Sequence, residues 1–130
     1  MSFNRWCGSD VEQRARDILE SLEAIRAFIM GMDRTAFIND RKTRSAVEFE
    51  LLRISEAAAK IRDMQGESSI PQRARIATQY AKWSAICAIG NRLRHEYGRV
   101  DDEIIWQTVA ANDLRHLEAT IRQYFSLSSA

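Results

Sequence analysis

Val47, Leu51, Ile54, Ala58 and Ile61 recur at intervals of four, three, four and three residues. That spacing places all five on one stripe of an α-helix and requires a neighbour lying nearly parallel to it. A strand cannot use it, because its side chains alternate faces with a period of two. A second stripe runs through Val11, Ala15, Ile18, Leu22, Ile25 and Ile29. A third comprises Trp83, Ile86, Ile89 or Gly90, Leu93 and Tyr97, and a fourth Trp106, Ala110, Leu114, Leu117, Ile121 and Tyr124. Four amphipathic helices joined by short connections predict an all-α, up-and-down bundle of four to five helices. One proline and five glycines leave little material for a many-turned β architecture.

The boundaries follow from local signals. Ser9-Asp10-Val11-Glu12 has the S-x-x-E form of a capping box, which predicts a first helix over 10–30 with Gly31 as its stop. The connection over 33–40 holds a single turn around Ala36, Phe37 and Ile38. A second long helix spans 41–65 and stops at Gly66, its Ala57, Ala58 and Ala59 leaving room for close approach of another helix. Residues 67–71 form the clearest break, and Pro71 opens a short helix reaching Tyr80. A third main helix spans 82–97 and ends at Gly98. Asp101 then caps a fourth, with Val100 and Ile105 placed as a hydrophobic staple. No repeat or linker interrupts the pattern, so residues 1–130 read as one domain.

Charge narrows the function classes. A net charge of +1 supplies no broad field that would pull the chain onto nucleic acid or anionic lipid. Any RNA or DNA contact must come from a local patch. Cys7 and Cys87 are too few and too far apart for a disulfide framework or a CxxC metal site, and Cys87 reads as a small buried hydrophobe. No stretch approaches 18 uncharged apolar residues, and the first residues lack an apolar leader core. The expectation is a cytoplasmic protein with no membrane contact.

The chemistry concentrates in Asn91-Arg92-Leu93-Arg94-His95-Glu96-Tyr97. Histidine takes and gives protons near neutral pH, and arginine's planar fork matches phosphate. Arg92 lies one helical turn from His95, on the same face. A neutral His95 in that position can take the proton of a ribose 2′-OH while an arginine holds the negative phosphorane that follows. The same residues also suit a solvated helix end with an Arg92–Glu96 ion pair, and spacing alone leaves both readings open. His116 and the interspersed basic residues Arg14, Arg16, Arg41, Lys42 and Arg44 read as solvated surface. The sequence offers neither HExxH nor a Cys/His ligand spacing, so no metal or cofactor is expected.

The pattern resembles a HepT-like protein of the HEPN superfamily, the toxin partner of minimal nucleotidyltransferase antitoxins. The likeness rests on Arg16-Asp17-Ile18-Leu19 with Ile25, on Ala46-Val47 leading to Ile54-Ser55-Glu56-Ala57-Ala58, and on Trp83-Ser84-Ala85-Ile86. It continues through residues 91–97, then Val100-Asp101 and Ile105-Trp106. Nearly the whole chain is covered in order. The resemblance implies a homodimer whose two histidine motifs meet across a cleft, and a metal-independent endoribonuclease of a type VII-like toxin–antitoxin module. Its motif is Arg, four to six residues, His, any residue, Tyr. The histidine carries over to His95 and the tyrosine to Tyr97, which in this family also accepts AMP from the nucleotidyltransferase.

The motif arginine does not carry over. The three permitted spacings point to Gly90, Ile89 and Ala88. A glycine inside a helix costs roughly 1 kcal/mol against alanine, so Gly90 implies close approach of a helix or protomer, while Asn91 beside it helps set the helix near the site. Arg92 or Arg94 is then the expected source of the displaced cation. The alternative is a catalytically degenerate module that binds its nucleotidyltransferase, or is modified by it, without cutting RNA.

Overall fold

The computed structural model describes residues 4–64, 83–95, 101–110 and 113–125. Among these lie six helices and no strands, which bears out the all-α class though not the count of four to five: α1 (Asn4–Ile29), α2 (Arg34–Ile38), α3 (Arg41–Asp63), α4 (Trp83–His95), α5 (Asp102–Ala110) and α6 (Asp113–Tyr124).

Helix α1 is about 39 Å long at 1.5 Å per residue. Only 11 residues separate Ile29 from Arg41, so α3 must turn back and run antiparallel to α1. Gly31 makes that turn in the left-handed region, at φ +77°, and the Met32 N–H reaches the Ile29 carbonyl at 2.9 Å. Asp33 caps α2 by accepting the Ala36 N–H at 2.8 Å, and Asp40 caps α3 by accepting that of Thr43 at 3.0 Å. Both short side chains satisfy N–H groups that a helix start otherwise leaves unpaired.

The expected start of the first helix needs correction. Helix α1 begins at Asn4, so Ser9 lies within it and is no N-cap. The Glu12 carboxylate reaches forward to Arg16 Nη2 at 2.7 Å, and Asp10 Oδ1 lies 3.6 Å from Arg14 Nε. Both are i, i+4 pairs, and the first takes the Glu12 carboxylate that a capping box would have turned backwards. The expected single fourth helix is described as two, α5 and α6, on either side of residues 111–112. The predicted helix over 71–80 and the Val100 half of the staple fall outside the described residues.

The core is the meeting of the stripes. Ile18, Leu22 and Ile25 of α1 bury against Val47, Leu51, Ile54, Ala58 and Ile61 of α3, with Leu117 and Ile121 of α6 closing the bundle. Burying each large aliphatic side chain contributes roughly 1.5–3 kcal/mol. Arg26 of α1 pairs with Glu118 of α6, and α2 meets α5 through Arg34–Glu103 and a Phe37–Trp106 ring contact with centroids 5.2 Å apart. Asp101 accepts the Glu103 N–H at 2.9 Å, capping α5 as its sequence predicts.

Candidate functional site

Two opposed stripes decide what α4 can present. Trp83, Cys87 and Gly90 recur at four and three residues and are buried. Arg94 continues that stripe one turn further. Ala88, Arg92 and His95 follow the same four-three spacing on the opposite side, and all three are exposed. The alternation of apolar and polar faces along this short helix therefore separates the two arginines of the motif.

The buried stripe is tied to α3 at successive levels. Trp83 Nε1 donates to the Ala58 carbonyl at 2.8 Å, and its indole stacks on Phe125, centroids 6.4 Å apart. Further along, the Ser55 hydroxyl donates to the Cys87 carbonyl at 2.9 Å and accepts the Gly90 N–H at 2.9 Å. Ser55 is 1% exposed, and both capacities of its hydroxyl are used, which removes the cost of burying it. At the next turn Arg94 Nη1 lies 3.2 Å from Glu56 Oε1, while Arg94 Nη2 donates to Asn91 Oδ1 at 3.1 Å. The order 58 with 83, then 55 with 87 and 90, makes α3 and α4 antiparallel.

Gly90 meets the expectation of close helix approach. A Cβ at this position would stand 2.0 Å from Ser55 Oγ and 2.7 Å from Ser55 Cβ. A side chain fits there only if Ser55 shifts. A larger residue at this position would have to push Ser55, and with it the α3–α4 contact, aside.

His95 is the last residue of α4, with Arg92 and Arg94 in the same final turn. Positive groups there also interact favourably with the helix dipole. Three residues of helix turn His95 about 60° from Arg92, whereas Arg94 stands about 100° away on the α3 side. The structure thus brings His95 and Arg92 to one exposed face and holds Arg94 with Glu56 and Asn91. Tyr97, and Glu96 with its Arg92 pairing, lie outside the described residues. His116 is exposed on α6, where its carbonyl accepts the Thr120 hydroxyl at 2.8 Å. A cleft among α1, α5 and α6, lined by Ile25, Arg26, Leu114 and Arg115 among others, contains none of the motif residues.

Burial raises the Cys87 thiol pKa, with Arg62 opposing and Asp63 adding to the shift. Cys87 packs as a small hydrophobe, as its surroundings in the sequence imply. Two residues that sequence reasoning did not place near the site are Ser55 and Glu56. The available signal was a hydroxyl set inside the apolar run from Ile54 to Ala58, opposite a helix that carries an interior glycine.

Comparison with known proteins decides the family. The family model described as "Ribonuclease HepT-like" matches residues 18–124. The chain belongs to the HepT-like family. A Methanocaldococcus jannaschii protein named "Putative RNase" is 29% identical over 116 residues, covering 87% of this chain and 88% of its relative. No solved structure matches at a significant level. The matched stretch includes His95 and the Gly90–Ser55 contact.

Proposed function

We propose that this HepT-like protein is an endoribonuclease, the toxin of a two-component module whose partner is a minimal nucleotidyltransferase. The observation that carries the reading is an exposed histidine one helical turn from an exposed arginine, in a chain that matches the HepT-like ribonuclease family. His95 takes the proton from a ribose 2′-OH, and the 2′-oxygen attacks the adjacent phosphorus. Arg92 stabilises the extra negative charge of the pentacoordinate phosphorane. The bond to the 5′-oxygen breaks, that oxygen receives a proton from an imidazolium, and a 2′,3′-cyclic phosphate remains. Side-chain proton transfer and charge neutralisation suffice for each step, so the scheme assigns no role to a metal.

In this reading the active form is a homodimer whose two His95 faces meet across a cleft, and the protein works in the cytoplasm. Tyr97 is the regulatory acceptor. Its phenolic oxygen attacks the α-phosphorus of ATP on the partner, pyrophosphate leaves, and the tyrosine-linked AMP blocks RNA by bulk and by charge repulsion.

One observation favours a second reading. Gly90 stands where the motif implied by the resemblance has an arginine, and loss of a preorganised transition-state donor costs on the order of a hundred- to thousandfold in rate. A chain in which Arg92 does not substitute would be a degenerate module that binds the nucleotidyltransferase without cutting RNA.

Expression of the chain alone, beside His95→Ala, separates the two. Arrested growth and fragmented RNA with the natural chain, both absent in the variant, are the expected result. Normal growth and intact RNA in both would leave only the degenerate module. Incubation with the nucleotidyltransferase and ATP, followed by mass mapping, is expected to place AMP on Tyr97, and an adduct elsewhere removes that role.

A further inference from the structure

We propose that Ser55, seconded by Glu56, is a positioning residue that sets the direction in which His95 and Arg92 face. The inference rests on the ribonuclease reading and deepens it. Trp83 anchors the start of α4, but His95 lies twelve residues further on, about 18 Å along the axis. Apolar contact between two helices is non-directional and tolerates sliding and rotation. The Ser55 hydroxyl does not. It is bonded at once to a carbonyl and an N–H of α4, and each of those bonds weakens steeply as its angle departs from linearity.

The tie also acts on the backbone of α4 rather than on a side chain that could change rotamer. It brings the last fixed point to Gly90, five residues or about 7.5 Å from His95. Glu56, the next residue of α3, adds a second tie through Arg94 and, by way of Arg94, to Asn91. Consecutive residues of one helix thus hold consecutive turns of the other. The consequence for chemistry is geometric. Rotating α4 by about 10° moves an atom about 6 Å from its axis by about 1 Å, and a misplacement of that size can cost about a hundredfold in rate. The absence of a side chain on Gly90 is what admits the hydroxyl.

The test uses the full chain, a fluorescently labelled single-stranded RNA, and NMR of the His95 imidazole. Ser55→Ala keeps the volume close and deletes both hydrogen bonds. It is expected to lower kcat by about ten- to hundredfold with KM within about twofold, and to shift the His95 signals. Ile18→Val, a core change on α1 away from α4, serves as the control for a purely structural loss and is expected to leave both readouts unchanged. Should Ser55→Ala not fold, Glu56→Ala on the exposed side of α3 decides, with an expected fall in kcat of about two- to fivefold and a smaller shift of the same signals. Natural kcat and unmoved His95 signals in the deciding variant overturn the proposal. If His95→Ala cleaves as the natural chain does, or neither cleaves, the ribonuclease reading fails instead. The His95 signals then decide the positioning claim alone, movement supporting it and constancy overturning it.

Discussion

Ser55 and Gly90 compete for one volume: a Cβ on residue 90 would stand 2.0 Å from the serine hydroxyl oxygen and 2.7 Å from its Cβ. Gly90→Ala is therefore expected to destabilise the fold by about 1–3 kcal/mol, although alanine is intrinsically the better helix former by about 1 kcal/mol. Ser55→Gly removes both obstructing atoms, so the same substitution in that background should cost little or become favourable. Urea unfolding of the four proteins in the cycle measures the coupling. An additive pair would show that the two residues do not share that space.

The two arginines of the last turn are expected to separate kinetically. Arg92→Ala should lower RNA cleavage by about a hundredfold or more if it supplies the phosphorane contact. Arg94→Ala, which loses a half-exposed pairing with Glu56, should change the rate only a few-fold. Initial rates on one RNA substrate compare them. The reverse ranking would assign the cation to Arg94.

Two carboxylates should give opposite pH dependences of stability. A hydrogen bond from Arg26 lowers the Glu118 pKa, burial opposes, and Arg122 assists. Its stabilising contribution is present above the unfolded-state value and is lost as pH falls through the lower folded-state value. Burial raises the Glu48 pKa, Asp102 adds to the shift and Arg44 opposes it. That contribution is present below the unfolded-state value and disappears as pH rises through the folded-state value. Glu118→Gln should therefore flatten the acid limb of the stability curve. Glu48→Gln should raise stability at neutral pH relative to the natural chain. Thermal melts from pH 3 to pH 8 check both signs.

Cys87 should resist thiol reagents, because burial both hides the sulfur and raises its pKa. With Cys7 replaced by serine, labelling of the native protein is expected to be at least about a hundredfold slower than in denaturant, since reaction must await opening of the helix pair. Rapid native labelling would contradict the packing of α4 on α3.

Much of this architecture was written in local patterns. The four-three spacings give α1, α3, α4 and the pair α5 and α6, and Gly31, Asp40 and Asp101 act at the boundaries their chemistry implies. The capping box at Ser9 misled for an equally local reason. Its acids found partners four residues ahead, and nothing in a four-residue motif records whether the preceding residues continue the helix. The place of His95 near the end of a helix was legible in the pattern. The division between Arg92 and Arg94 was not, because both fall in the same turn, and only the neighbour α3 distinguishes their sides.

The sequence by itself determined that the chain is helical, where its apolar stripes lie, and that a glycine, Gly90, falls inside one of the helices. Periodicity and backbone preference are properties of a few consecutive residues, so they survive without knowledge of the fold. Only the tertiary structure decided why that glycine is there, which arginine shares a face with His95, and that Ser55 and Glu56 hold the helix behind it. Those relationships join residues more than thirty positions apart, through contacts that come into being when α3 and α4 pack together.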